Sequence, residues 1–385
     1  MTVRAGGARS LPSLLAFLPF TALLLGVAAL ADVRRNDFFQ FWWAGHLVAT
    51  GRSPYEPASF RDALSYGAQA GSVYANCAAS ADAPACLWVY PPWTAWLYVP
   101  LGFLDAAAGP LAVLILSAVG LGIGIALVTR WAAVPAAGTA ILAIGLCVSA
   151  PAVRDVVTGH FEGLLLVGLV SLEVGLARGR GIALVTGVVL MALKPHLFIG
   201  LAAAVVAWLL AGRRYAALAA AAVTLGALAL VAFSLEPRAL PAILERSASK
   251  ADLTGTTTWH LAERIGGPSA PVVAAALVAI ALWSSLVAWR AVERHEQPRA
   301  LVAIGMALSL VLAPYAQSYD DVLLFPAVAL AVRGLSARSI ALAAAGLVAL
   351  TWGAYVLELA GDPRAYAGLL PAIALAALAL RRRWR

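Results

Sequence analysis

Long uncharged stretches recur along this chain, and they decide its solvent before anything else does. Starting with residues 11–31, thirteen apolar runs follow one another, most of them roughly 15 to 21 residues long, which is what a helix needs to cross a hydrocarbon core. Short charged breaks separate them. With 62% of residues hydrophobic and only 12% charged, a water-soluble globule of ordinary composition is excluded. The expected class is an all-α polytopic membrane protein, one transmembrane domain over residues 1–385. Arg4 and Arg9 ahead of the first run imitate a signal peptide, but the run is too long and lacks a small-residue cleavage site, so it reads as the first span. The net charge of +8 does not imply nucleic acid, because the basic residues are scattered among the breaks instead of gathered on one soluble face.

Arginine placement decides how many of the thirteen runs cross. If residues 87–104 span the membrane, Arg178, Arg180, Arg213, Arg214 and the terminal RRRWR all fall outside, against the positive-inside tendency. If that run lies along the outer interface, 16 of the 27 basic residues share the inner side with only Glu173, Glu293 and Glu296. The second arrangement gives about twelve spans with both termini inside. The composition of LWVYPPWTAWLYVP agrees, since three prolines break a long helix and Trp and Tyr favour the interface. Two large outer loops result, residues 32–109 with interfacial helices and residues 236–270. Smaller outer turns fall at 151–163, 314–321 and 358–368.

Chemistry is expected outside, where the acidic residues collect. In the first loop, Asn36 is placed to cap a helix carrying Phe38, Phe41, Trp42 and Gly45 on one face, rings in the acyl boundary, with Asp37 in its first turn. Asp37 is the expected general base on a substrate hydroxyl; its plain alternative is a carboxylate favoured by the helix dipole. Asp32, Asp62, Asp82 and Asp105 share the loop as rivals. Cys77 and Cys86 bracket AASADAPA there, and an oxidising compartment would permit a disulfide.

Lys194 is one of two lysines in a chain rich in arginine. It lies between two short apolar runs, so residues 182–211 read as a tight hairpin whose tip, Lys194–Pro195–His196, reaches the outer surface. An ammonium and an imidazole at that depth suit a lipid phosphate, and a snorkelling lysine is the other reading. His160 and Glu162 in TGHFEGLLL are candidate sugar or phosphate ligands on different helical faces, with capping and polar packing as their alternative. Tyr319, Asp320 and Asp321 open the run at 322–332, where a dipole role for one acid needs no function. Tyr90, in a Tyr-Pro-Pro turn, is placed at the edge of the site, and Trp259–His260 lies in the second loop. No metal-ligand spacing, nucleotide-binding glycine motif or short repeat is present, so neither metal nor cofactor is expected.

Taken in order, NDFFQFWWAGHLVATGRSPYEP, YPPWTAWLYVPLGFL, GHFEGLLLVGLVSLEVGLARGRG, LMALKPHL and APYAQSYDDVLLFP resemble glycosyltransferase family 87. The resemblance implies a GT-C fold and transfer, with inversion, of a sugar such as mannose from a polyprenyl phosphate donor to a glycolipid or glycan hydroxyl. In a bacterium the site would face the periplasm across the inner membrane. It implies Asp37 as base and matches Lys194 and Pro195 to the family's Lys-Pro hairpin and Tyr319 and Asp320 to its Tyr-Asp pair. Joined with the residue readings above, the expected site has Lys194 and His196 at the donor phosphate and Tyr90, His160, Glu162, Tyr319 and Asp320 at the substrates. The family's Gly-Gln-x-Asn signature stands here as Gly159, His160, Phe161 and Glu162, a departure that leaves the sugar open. Arabinofuranosyl or other pentosyl transfer is one alternative. A lipid-linked sugar flippase is another, although no internal repeat favours a transporter.

Overall fold

The computed structural model describes residues 18–29, 37–56, 59, 88–250, 258–290 and 292–359, with fragments at 373–374 and 377–378. Every regular element among them is helical. The chain opens with α1 (Leu18–Ala28) and α2 (Asp37–Ala49), then two short helices, α3 (Pro92–Leu97) and α4 (Val99–Gly102). Next come α5 (Ala108–Trp131), α6 (Ala136–Cys147), α7 (Ala150–Thr158), α8 (Glu162–Arg178) and α9 (Gly181–Met191). They are followed by α10 (Ile199–Ala211), α11 (Tyr215–Leu235), α12 (Ala239–Lys250), α13 (Thr258–Gly266) and α14 (Ala270–Arg290). The last part is α15 (Gln297–Leu312), a 3-10 helix over Ser318–Leu324, α16 (Phe325–Val332) and α17 (Ala337–Leu359). Prolines in the first turns of α3, α7, α15 and α16 mark where helices begin, because a missing N–H costs nothing there.

Among the described residues four helices are long and apolar enough to cross a membrane: Ala108–Trp131, Tyr215–Leu235, Gly267–Arg290 and Ala337–Leu357. The pair α6 and α7, bent by 54° at residues 148–149, makes a fifth if taken as one broken span. α11 shows why the solvent must be apolar: of its 21 residues only Ala232 is buried, and Val223, Leu230 and Leu235 stand about 70% exposed. In water that face would be an aggregation surface. Helices α9, α10 and α15 are shorter than a full span, as is α8 at 17 residues. The run at 322–332 is not one helix, since a 3-10 segment precedes the eight-residue α16.

Helix α8 stands at the centre, packed against α5, α9, α15 and the 3-10 helix. Glycines allow the backbones to touch: a Cβ on Gly163 would lie 2.2 Å from the Leu121 nitrogen, and one on Gly187 2.6 Å from the Leu172 nitrogen. One end of α8 carries Glu162 and the other Arg178, about 25 Å apart at 1.5 Å per residue. Residues from three of the breaks expected inside, at 213–214, 290–299 and 333–338, gather at the Arg178 end. There Glu296 pairs with Arg299 at 3.2 Å and Arg333 at 3.0 Å, Arg299 reaches Glu173 at 3.8 Å, and the Arg214 guanidinium donates to the Leu176 carbonyl at 2.9 Å. Asp37, His160 and Asp320, from three of the breaks expected outside, meet at the Glu162 end.

Three expectations change. Residues 92–102 form helices of six and four residues, too short to cross, but they are wedged under α2. The aromatic rings of α2 face protein, not an acyl boundary: Phe38, Phe39, Phe41, Trp42 and Trp43 are all at most 1% exposed. Residues 182–211 are not a tight hairpin, because α9 packs on α8 and α11 while α10 packs on α15. The turn between them is closed by α3, whose Trp93 indole N–H donates to the Ala192 carbonyl at 2.9 Å and whose Thr94 hydroxyl donates to that of Leu193 at 3.2 Å. Lys194 is therefore enclosed, 2% exposed, instead of reaching an outer surface. Asn36, Asp32, Asp62, Asp82, Cys77, Cys86 and the run at 368–380, apart from its two fragments, lie outside the described residues.

Candidate active site

Asp37 opens α2, and the other residues of that helix are mostly buried, which fixes where its carboxylate points. The fixing is done by Phe41, whose ring lies 5.0 to 5.7 Å from those of Trp88, Tyr90, Tyr98, His160 and Phe161. Edge-to-face contacts in such a cluster hold rings in set orientations. Helix α2 also crosses α4 backbone to backbone, with Gly45 against Gly102 and the His46 Nδ1 2.8 Å from the Gly102 carbonyl. Trp42 closes the arrangement through an indole N–H donated to the Leu104 carbonyl at 3.3 Å.

The second part of the site is the turn after α7. Gly159 adopts φ +88°, a left-handed backbone that ends the helix. A Cβ there would also sit 2.4 Å from the Phe38 ring. Both needs select glycine, and together they bring the turn against α2. His160 Nε2 then lies 2.8 Å from Asp37 Oδ2, a contact between residues 123 apart in sequence. His160 is 1% exposed and the Asp37 side chain 40%, so a buried imidazole steadies a carboxylate that solvent or substrate can reach. The His160 Nδ1 is buried without a hydrogen-bond partner among the described residues. The pairing suits a ring that donates Nε2–H to Asp37. Ser117 donates its hydroxyl to the His160 carbonyl, and Tyr319 stacks on the imidazole with centroids 3.7 Å apart.

Gly159→Ala is expected to cost about 1 to 2 kcal/mol from the left-handed backbone alone. The clash with Phe38 adds to this and moves α2 relative to His160. Thermal unfolding in detergent should show the loss, with activity falling further than stability alone explains.

Lys194 forms the third part. Its ammonium pairs with Glu162 and, at 2.7 Å, with Asp320 Oδ1. It also faces the rings of Tyr319 at 4.7 Å, Phe161 at 5.6 Å and Tyr90 at 6.0 Å. Asp320 is satisfied twice, since its Oδ2 accepts the Gln317 N–H at 2.6 Å and caps the 3-10 helix. The Glu162 backbone N–H in turn donates to Asp155 Oδ1 at 3.3 Å. Lysine, three carboxyl groups and three aromatic rings thus close on one another. His160 and Glu162, two residues apart, serve different partners, not as two faces of one helix but because His160 lies in the turn before α8 and Glu162 opens it.

All eight expected site residues meet at this end of the bundle. Tyr90, 8% exposed, borders both Phe41 and Lys194; His196, half-buried, lies 6.2 Å ring to ring from Tyr315. Asp105, one rival of Asp37, is spent on the amides of Ala108 at 2.8 Å and Ala107 at 2.9 Å, which hold its carboxyl below the usual range. Trp259 is exposed at 42%, and the side chain of His260 lies outside the described residues. Two residues were missed. Asp155 is fully buried behind Glu162, and Arg154 bonds Ser318 and lies 6.0 Å from the Tyr319 ring. Both stand in the stretch 151–163, which reads as a loop but folds mostly as α7. Among the described residues no group of three or more His, Cys, Asp or Glu is arranged to hold a metal ion.

No curated protein and no solved structure matches this chain. The profile of glycosyltransferase family 87 does, over residues 88–314, well over half of the sequence. That span takes in Tyr90, His160, Glu162, Lys194 and His196 and leaves Asp37, Tyr319 and Asp320 beyond its ends. With its helical bundle and its cluster of acid, imidazole and ammonium at one end, the chain belongs to glycosyltransferase family 87.

Proposed function

We propose that this glycosyltransferase has a GT-C fold and moves a sugar, mannose first among candidates, from a polyprenyl phosphate donor to a glycolipid or glycan hydroxyl with inversion. The reaction is placed on the outer face of the membrane, the periplasmic face of a bacterial inner membrane. The contact between Asp37 and His160 carries the reading: an accessible carboxylate, held by a buried imidazole, is what a general base on a sugar hydroxyl requires. The outward side is supported by the Arg- and Glu-rich cluster at the opposite end of α8.

In the proposed step the acceptor oxygen attacks the anomeric carbon while its proton passes to Asp37. The bond from that carbon to the phosphate oxygen breaks, and polyprenyl phosphate leaves with the electron pair. His160 keeps one carboxylate oxygen turned inward. Lys194 and His196 form the phosphate side. Two of the three Lys194 N–H donors are held by Glu162 and Asp320, so the leaving group draws on the third and on His196. Glu162 and Asp320 act from behind Lys194, while Tyr90 and Tyr319 present rings to the sugar.

The test is transfer by the purified chain in detergent, offered a panel of radiolabelled polyprenyl phosphate sugars and a native lipid extract. Labelled lipid or glycan from the mannose donor is expected. A pentose donor used in its place would change the sugar but keep the mechanism. Movement of labelled donor across vesicles with no transfer would replace the enzyme with a flippase.

A further inference from the structure

A second built feature lies at the far end of the bundle from the site. Helices α10 and α14 both pack on α15, and a groove floored by α15 runs between them. It encloses about 930 Å³. Ala204, Ala207, Leu286, Leu301 and Ile304 make its length apolar, whereas Arg214, Arg294 and Gln297 edge one end beside the indoles of Trp208 and Trp289.

The rim is ordered and positively charged. Arg214 stacks on Trp208 at 4.1 Å and donates to a backbone carbonyl, which leaves its charge uncompensated. The Trp208 indole N–H donates to Gln297 Oε1 at 3.4 Å. Nearby acids are taken elsewhere: Glu296 by Arg299 and Arg333, Glu293 by His295 at 3.4 Å. Among the described residues no carboxylate pairs with Arg214 or Arg294.

From this we infer that the groove is a binding site for an anionic phospholipid. One acyl chain lies on the α15 floor, and the headgroup phosphate sits between Arg214 and Arg294. The apolar length excludes a free anion as the natural occupant, since burial of a chain is what the alanine- and leucine-lined walls reward. The two arginines and interfacial indoles supply the level at which a headgroup stops. The site is independent of the catalytic one, which uses none of these residues.

The experiment counts lipids retained on the purified full chain by native mass spectrometry. It is offered phosphatidylglycerol, phosphatidylcholine with the same chains, and polyprenyl phosphate. Phosphatidylglycerol should be retained about 30-fold over phosphatidylcholine, from about 1 kcal/mol per arginine near the headgroup. Arg214→Gln with Arg294→Gln should erase that preference, with phosphatidylcholine retention unchanged as the sign of intact folding. Because Arg214 also touches Leu176 and Trp208, Arg294→Gln alone is the safer variant, with an expected loss of about 5-fold. Ala207→Phe, which fills the floor and leaves both arginines, should lower retention of both phospholipids. Equal retention of the two by the unaltered chain would overturn the proposal. So would a preference that survives loss of both arginines, or polyprenyl phosphate outcompeting phosphatidylglycerol.

Discussion

Asp37→Asn is expected to lower turnover by about 10²- to 10⁴-fold while leaving the KM for donor little changed. The amide keeps the size of the side chain and can still meet His160, so the fold and the 2.8 Å contact have every reason to persist. What disappears is the acceptor for a proton. A loss confined to kcat is the mark of a group used in the transition state and not in binding. His160 sharpens the test, because the family signature carries glutamine where this chain has His160. His160→Gln preserves an N–H for Asp37 and should cost less than 10-fold. His160→Ala removes the 2.8 Å contact that turns the carboxylate and should cost about 10²-fold, the scale of a misplaced catalytic group. Undiminished transfer by Asp37→Asn would remove it as the base.

The parts of this arrangement that could be read from sequence are those in which one residue constrains its own neighbourhood. Prolines at 91, 92 and 100 argued against a span over 87–104, and the chain there makes only two short helices. The division of arginines between breaks put Arg214, Arg299 and Arg333 on one side, and those three do share an end of the bundle. Partners across the bundle were not legible. Lys194 takes acids 32 and 126 residues away, and hydropathy treats a buried ammonium between two carboxylates like one facing a lipid phosphate. Asp155 was hidden for a related reason: its stretch looks like a loop, and only the helix geometry of α7 turns it toward Glu162. Aromatic residues misled in the opposite sense. Phe38, Phe41 and Trp42 suit an acyl boundary and a protein interior equally well, and the deciding element is α4, whose Gly102 lets α2 descend into the bundle.

Lys194→Met is expected to destabilise the chain by about 3 to 5 kcal/mol, the cost of leaving buried charges without their partner. Here the exposed loss is larger than for a single pair, because Glu162 and Asp320 both depend on the same ammonium and are at most 1% exposed. Glu162→Gln should be mild by comparison, since Asp320 still holds the lysine and the family signature places an amide at that position. Combining Lys194→Met with Glu162→Gln and Asp320→Asn should restore much of the melting temperature, as replacing every member of a buried ionic group is far less harmful than removing one. That rescue separates two roles for the lysine. If the triple variant folds and also transfers sugar with an unaltered KM for donor, Lys194 only holds the site together. If it folds but binds donor poorly, the third N–H of the ammonium reaches the phosphate, which is the outcome the proposed mechanism requires.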